Sequence, residues 1–180
     1  GHADVKERKP VDPETTLFRP GSVSKLFTWT AVMQLVEQGK LDLDADVNQY
    51  LDFEIPPRDG APVTLRHILT HTSGLEETAR ALIISDPAQL PTLEQSLKYW
   101  IPTRIFAPGT TPAYSNYATA LAGYIVERVS GLSFDDYIDP NRLIRIRPKA
   151  KDLPHGIAQF PIPAVAANIR WSNHVYADFH

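Results

Sequence analysis

The 180-residue chain is 43% apolar and 22% charged, the make-up of one ordinary globular domain rather than of a disordered segment. A net charge of −3 leaves no basic footprint for nucleic acid and no polybasic cluster for a membrane surface. No apolar run approaches the ~18 residues of a membrane span, and the absence of cysteine excludes disulfides, thiolate zinc sites and cysteine nucleophiles.

In chain order, GHADV predicts a short strand and VDPET a turn. This opening does not have the pattern of a signal peptide. Residues 22–38 predict a helix with little polar surface, since Leu26, Phe27, Ala31, Met33, Leu35 and Val36 surround it. Gly39 is placed to stop it. Asp44 is the expected N-cap of a short helix ending near Leu51, and the stretch 52–63, with its prolines and glycine, predicts a loop. Thr64 should cap a helix over LRHILTH that Gly74 ends. Residues 76–103 predict helical pieces broken at Pro87, Pro91 and Pro102, with Tyr99 and Trp100 in the core. The loop FAPGTTPAYSN leads into a strong helix over 116–130, striped by Leu121, Tyr124, Ile125 and Val129 and closed by Gly131. Ser133 caps a last short helix, FDDYI, whose adjacent Asp135 and Asp136 predict a solvated face. Up to residue 144 the chain is mostly helix, with little strand.

Two loop-to-helix junctions carry residues with chemical potential: GSVSK at 21–25 and PAYSN at 112–116. Positions i and i+3 of a helix share a face, with β-carbons ~5–6 Å apart. Lys25 can therefore reach the hydroxyl of Ser22, a poor nucleophile that needs a base within hydrogen-bond distance. The start of a helix adds unpaired N–H groups and a positive dipole end, which favour developing negative charge. Taken alone, Ser22 also fits a plain helix cap, and YSN fits an N-cap after an aromatic residue. His67 and His71 stand i, i+4 on one predicted helix, but no third ligand accompanies them, so no metal site is assigned.

The three segments S-x-x-K, L-R-H-I-L-T-H-T-S-G-L and P-G-x-x-x-x-Y-S-N occur in this order. Together they resemble the serine β-lactamase and penicillin-binding-protein superfamily. Within it, the likeness is to the branch of class C β-lactamases, D-amino-acid peptidases and family VIII esterases, because Tyr114 stands where class A enzymes carry serine. It runs from about Gly1 to Ile144.

That resemblance implies an α/β fold of the β-lactamase/transpeptidase type. This chain would cover mainly the helical subdomain and the nucleophile helix, with the sheet incomplete. It also implies a serine hydrolase that forms an acyl-enzyme on Ser22, with the Ser22 N–H as half of the oxyanion hole. Lys25 would act as base, buried enough to lower its pKa, and Tyr114 would shuttle the proton. Asn116 would orient Lys25 and bind the substrate's carbonyl or amide. THTSGL would be structural. The substrate would be a small acyl compound: a β-lactam, a D-amino-acid peptide or a small ester. No metal or organic cofactor is implied. A periplasmic or secreted location suits the family, with the cytoplasm left open.

The likeness divides the chain into a partial β-lactamase-like domain at 1–144 and an atypical tail at 145–180. The family's third motif, H-x-G or K-T-G, has no match; His155–Gly156 lacks the spacer residue. Two alternatives follow: a catalytically inactive scaffold or binding protein, or a fragment that needs a complementing segment. The loss of periodicity after 144 fits a shifted reading frame, a shortened chain or assembly with a second polypeptide, and reading the coding DNA in the other frames separates these. An incomplete sheet also predicts an uncovered apolar face, formed by Leu26, Phe27 and Val36 on the first helix and Leu121 and Ile125 on the last. Through that face the chain would self-associate or hold a partner segment.

Overall fold

The computed structural model describes residues 1–16, 21–77 and 91–139. The expected break at Pro87, the boundary at 144, the tail and His155–Gly156 lie outside the described residues. The elements in chain order are β1 (His2–Asp4), β2 (Lys9–Pro10), a 3-10 turn (Gly21–Ser24) and α1 (Lys25–Glu37). A second 3-10 turn (Val47–Gln49), α2 (Leu65–Leu69), α3 (Leu93–Tyr99), α4 (Asn116–Ser130) and α5 (Phe134–Tyr137) follow.

The strand expected at GHADV is β1. It pairs antiparallel with β2, His2 opposite Pro10 and Asp4 opposite Lys9. β2 is exposed at both of its residues, so no alternation announces it in the sequence. In VDPET the Asp12 carboxylate accepts the Glu14 and Thr15 N–H groups at 2.8 and 3.1 Å, which forms the expected turn.

Helix α1 buries Thr28, Ala31, Val32 and Leu35, a stripe at helical spacing. It ends at Gly39, with φ of +69°. There the Gly39 N–H donates to Val36 and the Lys40 N–H to Leu35, both at 2.9 Å, the paired bonds of a Schellman cap. The α-helix does not begin at Ser22, as expected, but at Lys25. Gly21 enters with φ of +54°, and the Ser24 hydroxyl donates back to the Gly21 carbonyl at 2.7 Å. These features wind the first turn as 3-10. Asp44 is also not a cap. Asp46 accepts the Asn48 N–H at 2.9 Å and starts the shorter turn, while Asp44 takes a bidentate ion pair from Arg66 at 2.6 and 2.8 Å.

Helix α4 is the centre of the packing. It touches α1, α2, α3 and α5, and buries Ala118, Thr119, Leu121, Ala122, Gly123, Tyr124, Ile125 and Val126. Leu121 and Ile125 are therefore fully buried, which corrects their assignment to an uncovered face. Four helices supply the cover that the sequence analysis assigned to absent strands. Phe27 and Val36 also pack partly against this core. Leu26 remains 62% exposed, and Met33 on α1 and Val23 in the 3-10 turn before it are exposed as well. Tyr99 is not in the core. Helix α3 turns Leu97 inward, and Tyr99, two positions on, faces out at 78% exposure. Trp100 is half-buried. Asp136 is exposed and bonded to Ser133, but Asp135 is half-buried, with one carboxylate oxygen shut off from water.

Helix α4 starts at a cap that is itself out of water. The hydroxyl of Ser115, which is fully buried, accepts the Ala118 N–H at 3.1 Å. Ser115→Ala is expected to cost about 1–2 kcal/mol, because the mutation orphans a donor at a helix N-terminus. Urea unfolding measures it, and an unchanged midpoint would remove the cap from the list of stabilising contacts.

Candidate active site

The turn before α1 and the loop before α4 meet at one point. The Ser22 hydroxyl lies 2.6 Å from the Tyr114 hydroxyl and accepts from the Lys25 ammonium at 3.1 Å. Lys25 also donates to the Asn116 side-chain carbonyl at 2.7 Å, and the Tyr114 hydroxyl donates to the same oxygen at 3.3 Å. All four residues singled out in the sequence therefore share one hydrogen-bonded cluster. Ser22 and Tyr114 are exposed, while Lys25 and Asn116 are half-buried. The Lys25 ammonium sits 4.7 Å from the centre of the Tyr114 ring, within cation–π range.

Local structure explains the meeting. Lys25 is the first residue of α1 and Asn116 the first of α4, and these helices pack together. Ser22 falls one 3-10 turn earlier, so its side chain rises beside Lys25. Tyr114 is held from below. Its ring stacks on His71 with centroids 4.5 Å apart, and His71 in turn lies 5.8 Å from the Trp29 ring. The Ala113 N–H donates to the His71 carbonyl at 2.7 Å, and Trp29 donates to the Leu69 carbonyl at 2.9 Å. His71 needs a left-handed backbone, with φ of +55°, at the turn after α2.

The i, i+4 histidines thus have specific structural work. His67 completes a reciprocal cap on α2: its N–H donates to the Thr64 hydroxyl and its Nδ1 accepts the Thr64 N–H, both at 3.3 Å. His71 supports Tyr114. Two further residues at the site escaped the sequence analysis. One is His71 as a stacking partner, which depends on a tertiary contact. The other is Glu77, whose carboxylate accepts the Asn116 backbone N–H at 2.6 Å and the Asn116 side-chain amide at 3.1 Å.

Both histidines are held below their ordinary value of 6.5. Burial is the main cause in each. The positive charge of Arg104 adds to it at His67, and that of Lys25 at His71, where Glu77 opposes. The sign of the pH effect follows. As pH falls through 6.5 the unfolded chain binds protons that the folded chain still refuses, so stability declines below that value. Urea midpoints are expected to drop between pH 7.5 and 5.5. The pair His67→Gln/His71→Asn should flatten the slope, since glutamine suits a capping box and asparagine tolerates positive φ. An equally steep slope in that variant would overturn the assignment.

A hydroxyl placed between an amine and a phenol has the contacts that nucleophilic acyl transfer requires. A family model for Beta-lactamase matches residues 1–142. Esterase EstB of Burkholderia gladioli is 40% identical over 146 residues, covering 73% of this chain and 36% of its own length. The Beta-lactamase of Escherichia coli (strain K12) is 31% identical over 138 residues, covering 75% of this chain and 34% of itself. The solved octameric penicillin-binding protein homologue from Pyrococcus abyssi superposes with a TM-score of 0.63 at 36% identity, over 77% of this chain and 33% of that one. The fold is that of a β-lactamase/penicillin-binding-protein domain, largely helical among the described residues, with a small and incomplete sheet. The chain belongs to the Beta-lactamase family. It spans about a third of the length of these relatives.

Proposed function

We propose that the chain carries the nucleophile and proton-transfer groups of a serine hydrolase that works through an acyl-enzyme on Ser22. The observation that supports this is the Ser22 hydroxyl held by both Tyr114 and Lys25, at 2.6 and 3.1 Å. In the proposed step Lys25 reacts as the neutral amine, and the Ser22 proton passes to its Nζ as Oγ bonds to the substrate carbonyl carbon, with the Tyr114 hydroxyl as relay toward the leaving group. The resulting tetrahedral oxyanion collapses, the bond to the leaving group breaks, and that group takes up the proton. Water then repeats the sequence on the ester and frees Ser22. Asn116 acts here through its carbonyl, which orients Lys25.

A small ester, a β-lactam or a D-amino-acid peptide is the proposed substrate. The relatives named as an esterase, a β-lactamase and a penicillin-binding protein homologue support that range. The proposed hydrolase domain runs to about residue 144. The rival is an inactive scaffold or a fragment that needs a complement, favoured by the one-third coverage of the relatives. Self-association has narrower support than the sequence suggested, since it now rests on Val23, Leu26 and Met33. Among the described residues, no helix is long and apolar enough to cross a membrane. Treating the chain with a fluorophosphonate and weighing it intact tests the proposal. One adduct per chain, mapped to Ser22, is expected; no adduct, or an adduct elsewhere, would leave the scaffold in its place.

A further inference from the structure

We infer that Glu77 is a positioning residue which fixes the polarity of the Asn116 amide, and through it the Lys25 ammonium; this rests on the hydrolase proposal above. An asparagine amide has nearly the same shape either way round, so its neighbours decide which end points where. On one side of Asn116 stands a carboxylate, which only accepts. Glu77 takes the Asn116 backbone N–H at 2.6 Å with one oxygen and the side-chain NH₂ at 3.1 Å with the other. On the opposite side the Lys25 Nζ donates to the Asn116 carbonyl at 2.7 Å, a bond that either protonation state of the amine can make. A single orientation satisfies both, and it leaves Oδ1 facing Lys25 and the Tyr114 hydroxyl.

Glu77 is itself held by the backbone around it. The Glu76 N–H donates to the Thr103 carbonyl at 2.9 Å, and Leu75 forms a bridge with Arg104. Two residues before Leu75, Ser73 is fully buried. The Glu77 carboxylate also meets the first N–H of α4, where negative charge is favoured by the helix dipole. The segment that follows α2 thus reaches across to the start of α4 and locks the residue that holds the lysine. None of this is a contact to the reacting atoms. Glu77 acts through Asn116.

The test exploits polarity rather than size. In Glu77→Gln the new side chain keeps the shape but has one donor end. Whichever way it turns, one N–H of Asn116 meets another N–H. Turning the Asn116 amide relieves that conflict only by presenting NH₂ to Lys25, which loses its acceptor. In the combined variant Glu77→Gln/Asn116→Asp the carboxylate moves to position 116, and every donor again has an acceptor. Phosphonylation of Ser22 in the 180-residue chain is expected to slow by ~10²-fold in Glu77→Gln, the scale of misplacing a reacting group by about 1 Å. Asn116→Asp alone, with two carboxylates facing each other, should also be slow. The combined variant is read by amide exchange rather than by rate: protection of the position-116 backbone N–H should return, because the glutamine at position 77 again offers it an acceptor.

A merely structural glutamate would lower the melting temperature without any rescue by exchanged polarity. A Glu77→Gln as fast as the parent, or a combined variant whose exchange stays as fast as in Glu77→Gln, overturns the inference while leaving the hydrolase proposal standing. A second readout does not depend on acylation. Proton exchange at the Asn116 backbone and side-chain amides, followed by NMR, should be protected in the parent and accelerated in Glu77→Gln. If the parent takes no adduct, the hydrolase proposal falls and exchange still decides the role of Glu77. Equal exchange in parent and variant refutes it.

Discussion

Ser22→Ala is expected to abolish both the fluorophosphonate adduct and any ester hydrolysis, a loss on the order of 10⁶ if the serine is the nucleophile, as in other acyl-transfer enzymes. The variant should remain folded. Ser22 is exposed, and exposed positions without special features usually change stability by less than about 0.5 kcal/mol. Tyr114 and Lys25 keep Asn116 as a common partner, so the cluster does not fall apart when the serine oxygen goes. Ser24→Ala is the useful comparison. Ser24 is buried and donates to Gly21, so its loss should cost about 1 kcal/mol while the adduct on Ser22 persists. Intact mass and p-nitrophenyl acetate hydrolysis on both variants measure the difference. Hydrolysis at parental rate in Ser22→Ala would exclude this serine as the nucleophile.

The largest effect on stability is expected at Gly74. Its φ is +75°, and a β-carbon built there would stand 2.1 Å from the Phe106 carbonyl oxygen. That oxygen belongs to the backbone and cannot swing aside. The Ile105 N–H donates to the Gly74 carbonyl at 2.8 Å, which ties the two segments together. Gly74→Ala must therefore combine left-handed strain of about 1–2 kcal/mol with an overpacking cost of about 1–3 kcal/mol. The sum is a large share of a typical domain's 5–15 kcal/mol. Gly39→Ala separates the two contributions. Its φ is +69°, but nothing lies within 4 Å of the added carbon, so only the strain remains. Urea unfolding should show Gly74→Ala losing clearly more than Gly39→Ala. Equal losses would mean that the contact with Phe106 yields without cost.

The contrast between these glycines shows where the sequence was legible. Both were marked as helix stops, because a left-handed turn after a helix is a local requirement that glycine meets cheaply. Gly39 fills that place, whereas α2 already ends at Leu69 and His71 takes the left-handed position after it, so Gly74 serves a later turn. The caps at Thr64 and Ser133 were equally visible, for they join residues three apart. Lys25 and Ser22 were legible for the same reason, and Tyr114 and Asn116 through the resemblance of their motif. What escaped depends on distant segments. Asp44 and Asp46 offer the same side chain two positions apart, and only Arg66 decides which is free to cap. Leu121 and Ile125 looked like a one-sided stripe until α1, α2, α3 and α5 enclosed their helix. Glu77 sits in a plain acidic pair, and its partner lies 39 positions along the chain.

The Ser22–Tyr114 contact spans 92 positions. Closing so long a loop carries an entropy cost that no local interaction repays, and it is met only when the surfaces of α1 and α4 dock. During synthesis the serine and the lysine emerge early, already one turn apart. Tyr114 and Asn116 follow much later, and the helix that Asn116 begins must also leave the ribosome before it can pack. Until then Ser22 has neither its phenol partner nor a fixed lysine. The hydroxyl of a nascent chain is therefore an ordinary alcohol, and under the proposed function any reactivity would begin only when the two ends of this helical core come together.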